Sequence, residues 1–378
     1  METAAPSTTS ITIATTDAEK SEFIRYPYQH YSDHPVWVPP LLMEQKKLLN
    51  PKKNPFFANA EIALFLAEYN GSPAGRIAAI IDHRYNEHHD TKTGFFGFFE
   101  CIDNPNTSAL LFRVVEDWLK KRGMTEVLGP ASPSMMDEIG ILVEGFDKRP
   151  SILMPYNYDY YGRLVEEAGF EKATDLYTYL VTQDSVDRER ALRAVEIVKK
   201  RLPGIHVRPL NMKKIRDEVK IIRKIFNEAW KNNWGYIPLS EAEFDNFASD
   251  LKTIVDPDFA HIAELDGEPV GFSVGLPDYN QILKDLNGKL LPFGFIKLLL
   301  RKKKINKIRT ALMGVLPSHQ GKGIDVLLHR EAIQNGLEKN FYSSEVGWIL
   351  ESNVQMIRVA EKIGGQLDKV YRMYRKDL

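Results

Sequence analysis

Apolar and polar positions along this chain switch between a period of two and a period near 3.6, and the switching order occurs twice. Residues 10–15 alternate and are β-branched, which predicts a strand. Asp17 is placed to cap a helix that runs to about Tyr31. The Pro-containing stretch 34–40 breaks that helix, and 41–49 predicts a short one. Alternating runs at 61–69 and 73–82 flank Asn70-Gly71, a dipeptide suited to a tight hairpin. Residues 94–102 carry four phenylalanines and read as a strand buried on both faces. Over 106–121 apolar residues such as Leu111, Val115 and Leu119 recur at helical spacing, and Gly123 ends the helix. A strand at 126–129, a helix at 162–168 and a strand at 176–181 complete the first series.

After a charged helix over 183–200 and a Pro-Gly linker, the order begins again. A strand at 205–210 is followed by helices at 212–231 and 241–251. A hairpin of 259–265 with 269–276 turns over Asp266-Gly267. Beyond an inserted segment, 278–306, come a strand (308–315), a helix, a strand (344–350), a helix (354–363) and a last strand (367–375). Each half reads β-α(α)-β-β-β-α-β-α-β, the trace an internal duplication leaves. The prediction is an α+β fold, with a mixed, mostly antiparallel sheet and helices on both faces in each half. The bounds follow: 1–182 for the first domain, 183–204 for a helical linker, 205–378 for the second.

Composition narrows the function. A length of 378 residues suits two domains, and 43% hydrophobic with 27% charged residues suits a soluble globular chain. A net charge of −1 supplies no broad field for nucleic acid. The single Cys101 excludes an intramolecular disulfide and points to a reducing, cytoplasmic setting; behind an aromatic run it reads as a buried thiol. Residues 1–10 lack the basic start and apolar core of a secretory signal. No apolar run reaches the ~18 residues of a membrane span. The stretch 290–300, followed by Arg301-Lys302-Lys303-Lys304, reads as a packed helix with a solvated basic end; a membrane-surface patch is the other reading.

The chemistry concentrates after the strand that ends at Val315. Leu316-Pro317-Ser318-His319-Gln320-Gly321-Lys322-Gly323-Ile324-Asp325 reads as a break, a glycine-containing loop and a helix start. Free backbone N–H groups and the positive end of the helix dipole meet there, which suits a phosphate or diphosphate. In the first half, Asp137 and Glu138, with Glu144 and Asp147 nearby, put four carboxylates into a half-buried stretch that reads as a polar loop over the sheet.

Gln320-Gly321-Lys322-Gly323-Ile324 resembles the acyl-CoA signature of the GNAT acyltransferases, Gln/Arg-x-x-Gly-x-Gly/Ala, with Asp325 where a small residue is usual. The repeated element order is similar to that of tandem GNAT proteins in which one lobe is degenerate. This resemblance covers both halves: Asn104-Pro105-Asn106-Thr107 replaces the loop in the first, and 160–170 looks like the closing stretch of such a domain. It implies a bacterial N-acyltransferase that uses acetyl-CoA or another acyl-CoA as cosubstrate, with no metal. Amides near Val315 would meet the pantetheine arm. Gln320, Gly321, Lys322, Gly323 and Ile324 would surround the diphosphate, and Asn353 would bond the pantetheine or a water. The acyl group would sit where the strands ending at Val315 and Leu350 splay. Ala360 stands where the family often has a thiolate-protonating tyrosine, and Gly365 where a phenylalanine is usual. Candidates for the base are Glu351, or Asp137 or Glu138 from the first lobe; Tyr371 or a water would be the acid. The implied acceptor is a small-molecule amine. No nucleic acid or integral membrane association is expected, and the protein would be a monomer or homodimer. The alternative is a non-catalytic CoA or acyl-CoA sensor or scaffold.

Overall fold

The computed structural model describes residues 8–290, 292 and 294–378. Residues 1–7 of the stretch read for a secretory signal, and 291 and 293 of the apolar run, lie outside the described residues. The chain forms two compact units. The first takes the chain up to Asp175 with Leu283–Lys297 and Val370–Leu378; the second takes Leu176–Ile282 and Leu298–Lys369.

The first half of the chain contains β1 (Thr9–Ile13), α1 (Asp17–His30), α2 (Leu42–Leu48), β2 (Ala60–Tyr69), β3 (Ser72–Asp82), α3 (His83–His89), β4 (Thr93–Cys101), α4 (Pro105–Lys120), β5 (Glu126–Gly129), β6 (Ala131–Ser132), β7 (Glu138–Ile139), β8 (Ile141–Glu144) and α5 (Tyr161–Glu167). Then come β9 (Glu171–Thr182), α6 (Arg188–Arg201), β10 (Ile205–Pro209), α7 (Ile215–Trp230), α8 (Glu241–Leu251), β11 (Ala260–Leu265), β12 (Glu268–Pro277), α9 (Asn280–Leu283) and α10 (Gly294–Arg301). The last elements are β13 (Lys307–Val315), α11 (Ile324–Glu338), β14 (Ser343–Leu350), α12 (Val354–Lys362) and β15 (Gln366–Asp377).

In the first unit the strands run β1-β2-β3-β4-β5 and then the end of β15, with β8 also on β15. Among the described pairings of this unit, β4 and β5 are the parallel ones. Asn70 and Gly71 both take positive φ in the β2–β3 turn, as the hairpin dipeptide requires. Alternation along β3 sends Ile77, Ala79 and Ile81 to Leu111, Phe112, Val115 and Leu119 of α4. Arg76 points the other way, and its guanidinium donates to the Phe23 carbonyl of α1 at 2.8 Å. Helices therefore cover both faces, and each large apolar side chain buried there contributes about 1.5–3 kcal/mol. The cap of α1 is Thr16 rather than Asp17. Thr16 and Glu19 form a reciprocal capping box, which satisfies two amides where Asp17 alone would satisfy one.

In the second unit the strands run β10-β11-β12-β13-β14 and then residues 176–182 of β9. Here β13 and β14 are the parallel pair. On one face Val195 and Val198 of α6 meet Ile324, Leu327 and Leu328 of α11. On the other, Trp230 of α7 donates its indole N–H to the Met313 carbonyl at 3.0 Å.

The compact units do not follow the bounds drawn on the sequence. The helix expected as a linker, α6, is packed within the second unit. Residues 176–182 pair with β14, and 374–377 at the far end of the chain pair with β5. A strand's own residues fix its alternation, but its partner is whichever sheet edge it reaches.

Candidate active site

The site grows from the way β13 loses one neighbour. Its partner β14 is bonded only through Thr310↔Val346, and β14 then shifts register before Ile349. On its other side β13 stays paired with β12 as far as Val315. Leu316 N–H donates to the Val270 carbonyl at 2.9 Å. Antiparallel alternation therefore turns the N–H and C=O of Val315 toward the edge that β14 has left. The Gln320 amide takes up that carbonyl at 3.1 Å. The Val315 N–H faces the gap, as an edge able to bond an extended arm.

A short 3₁₀ turn, Pro317–His319, carries the chain from β13 to the loop. Gly321 and Gly323 have φ of +73° and +87°. Gly323 is the N-cap of α11 and offers no side chain to the helix amides. A 15-residue helix thus opens with uncapped N–H groups beside the exposed Lys322, a combination that attracts an anion. A Cβ at Gly321 would meet nothing within 4 Å. A Cβ at Gly323 would lie 2.5 Å from Val198 of α6, so this glycine is required by its turn and its neighbour together.

Ile324 is buried against α6, so only its backbone belongs to the loop. Asp325 acts on His329 one turn along; burial pushes His329 down and Asp325 opposes that. His319 is bonded to Ser318 at 2.9 Å, and partial burial and Lys322 lower its pKa.

On the β14–α12 connection, Asn353 caps α12, its side-chain oxygen accepting from Met356 N–H at 3.1 Å. Glu351 lies in the turn just before, half-buried. Ala360 packs in a cluster with Tyr179, Val181, Val346 and Ile349, and its carbonyl receives Gly365 N–H at 2.9 Å. A tyrosine there would need this cluster to repack.

The remaining candidates belong to the first unit. Asp137 accepts from the Ser134 hydroxyl at 2.6 Å, and Glu138 pairs with Ser132 in the β6–β7 ribbon. The stretch is thus a small two-stranded ribbon where a polar loop was expected. Tyr371 is fully buried in β15 opposite Leu142, its hydroxyl donating to the Pro155 carbonyl at 3.4 Å. The second unit therefore gathers Val315, Gln320, Gly321, Lys322, Gly323 and Ile324 in one loop, with Glu351 and Asn353 on the next connection. Asp137, Glu138 and Tyr371 stand in the other unit.

Two contributors have no counterpart among the sequence expectations. Val198 props the loop, and Trp230 occupies the Met313 carbonyl. The first unit also holds a buried polar network. Tyr31 and Tyr161 donate to Glu100 at 2.6 and 2.7 Å, Arg76 stands 3.6 Å from Glu100, and the His30 ring lies 3.0 Å from the Tyr161 hydroxyl. Burial raises Glu100, against the pull of Arg76, and lowers His30 to about 4. Cys101 is buried and pushed up to about 12 by desolvation, which suits a packed thiol. Two opposite charges inside otherwise apolar β3 and β4 were the available signal. The tyrosines of 156–161 pack on His30, Tyr31 and His34, and Trp37 stacks on Tyr31 at 5.0 Å. Among the described residues there is no cluster of three or more His, Cys, Asp or Glu able to hold a metal ion.

The gap beside β13 thus adjoins an uncapped helix start, a free strand edge next to a point that attracts an anion. The acetyltransferase (GNAT) family matches residues 219–365, a span that contains the whole loop. The chain belongs to that family. It is 39% identical over 371 residues to the bacterial ceramide synthase of Caulobacter vibrioides, covering 96% of each chain. It is 37% identical over 364 residues to protein YghO of Escherichia coli, covering 94% of this chain and 92% of that one. Among solved structures, a tandem GNAT protein from the clavulanic acid biosynthesis pathway has the same fold. That match has a TM-score of 0.59 at 11% identity over 98% of both chains.

Proposed function

We propose that the chain is an acyl-CoA-dependent N-acyltransferase whose acceptor is the amine of a long-chain amino alcohol. The observation that carries the reading is the second unit's free β13 edge running into an uncapped helix start. The acceptor class rests on the whole-length similarity to a bacterial ceramide synthase, a ceramide being a fatty amide of such an amine.

In this reading Val315 N–H bonds the pantetheine arm, and the 320–324 backbone with Lys322 holds the diphosphate. The neutral amine attacks the thioester carbon, the C–N bond forms and the C–S bond breaks. The amine proton passes to a base, for which Glu351, in the turn before the Asn353 cap, is a candidate within the second unit. Asp137 and Glu138 are the other candidates read from the sequence. The departing thiolate takes its proton from water in this reading, since Tyr371 is buried in the first unit with its hydroxyl on the Pro155 carbonyl. Holding both reactants in place supplies much of the acceleration.

The test uses purified protein with palmitoyl-CoA and sphinganine, and in parallel acetyl-CoA with small amines. Thiol release and mass spectrometry report the reaction. Amide formed only with both long-chain partners, and lost in Gly323→Glu, is the expected result. Amide formed only from acetyl-CoA and small amines moves the acceptor to another class. The second reading, a CoA or acyl-CoA sensor, is favoured by the buried Ala360 in place of an acid. Tight acyl-CoA binding with no amide from any pair would establish it.

A further inference from the structure

Helix α10, Gly294–Arg301, has no buried residue. Phe295 is 49% exposed, Ile296 53%, Leu299 58% and Leu300 76%. At ~100° per residue these four side chains share an arc of about 140°, so they form one continuous apolar face. Single exposed leucines are ordinary on a protein surface, but four large apolar residues on one face of a short helix are not. The face departs from the packed helix the sequence suggested.

The charge that follows it along the chain is of one sign. Lys302, Lys303 and Lys304 follow directly in a 3₁₀ turn, all exposed, and no acidic residue occurs from 294 to 304. No helix among the described residues is long and apolar enough to cross a membrane. An eight-residue helix spans only about 12 Å, which lets it lie flat in an interface.

We infer that α10 and the lysines after it dock this protein on the surface of an anionic bilayer. The apolar face enters the boundary between headgroups and acyl chains, and the three ammonium groups meet lipid phosphates. Apolar burial by so short a helix is weak alone, and the polybasic turn is the second signal that makes the attachment stable. A partner protein would have to match an uninterrupted cationic run beside bare leucines, whereas an anionic lipid surface offers both complements everywhere. The inference rests on the exposure and charge of this segment, independently of the acceptor proposed above.

The test is flotation of the full chain with vesicles of phosphatidylcholine alone and of phosphatidylcholine containing phosphatidylglycerol. The protein is expected to float with the anionic vesicles and to stay behind with the neutral ones. Replacing Lys302, Lys303 and Lys304 together with Gln should weaken partitioning about a hundred-fold, each lysine near the surface counting roughly five-fold. Leu299→Glu with Leu300→Glu should weaken it comparably, and neither variant should change the melting temperature, because the replaced side chains are exposed. Absence of wild-type protein from the floating anionic fraction would overturn the inference. So would equal flotation of both variants, or an apolar-face dimer in light scattering that Leu299→Glu dissolves while no protein floats.

Discussion

The same strand-to-helix step is built twice in this chain and finished in opposite ways. In the first unit β4 passes to α4 through Asn104, whose side chain accepts from Thr107 N–H at 3.1 Å. Pro105 follows as the first helical residue and has no N–H to offer. In the second unit β13 passes to α11 through Gly323, which has no side chain and a φ of +87°. One helix start consumes its own amides, and the other leaves them for an anion. The difference teaches that ordinary helix capping closes a helix start to an anion without any change of fold.

The largest effect should come from closing the open helix start. Gly323→Ala puts a methyl against Val198 and forces an unfavourable φ. It should weaken acyl-CoA binding about a hundred-fold, the equivalent of two hydrogen bonds to a charged group, as calorimetry would show. Adding Val198→Ala should relieve the contact but not the φ, and so recover only part of the loss.

The first unit answers with stability instead of binding. His30 stays neutral when folded down to about pH 4, while the unfolded chain takes a proton below ~6.5. Its contribution is whole above the unfolded pKa and is lost as pH falls toward the folded one, up to about 3 kcal/mol. Thermal melts from pH 7 to 4.5 should therefore decline less steeply in His30→Gln than in the wild type, with acyl-CoA affinity at pH 7 unchanged.

Two smaller effects sharpen the contrast. Asn104→Ala should cost about 1 kcal/mol of stability by losing the cap. It should create no CoA site, because Pro105 still lacks the N–H; chemical denaturation and calorimetry would separate the two. Lys322→Ala should weaken binding by a few-fold, about 1 kcal/mol for an exposed ion pair. That loss should shrink as salt rises.

Much of this was legible in the residues themselves. The two hairpins announce their turns with Asn70-Gly71 and Asp266-Gly267, and α4, α7 and α12 show their spacing plainly. The loop at 320–324 was readable because a strand, a proline and two glycines sit in one short stretch. Helix α3 and strands β6 to β8 escaped notice because they are too short to show a period. The role of Val198 escaped because its contact with Gly323 spans more than a hundred residues of sequence, and no local pattern encodes such a neighbour.

By itself, then, the sequence determined the kind and order of the elements and the open character of the 320–324 loop. These depend on backbone preferences and side-chain period, which act within a few residues. Only the tertiary structure decided that residues 176–182 bond β14 while 374–377 bond β5. Every strand edge carries the same N–H and C=O groups, so the choice is made by the packing of distant faces. It decided equally that α10 keeps its apolar face bare. An amphipathic pattern states which side of a helix seeks cover, and only the folded chain shows whether cover is there.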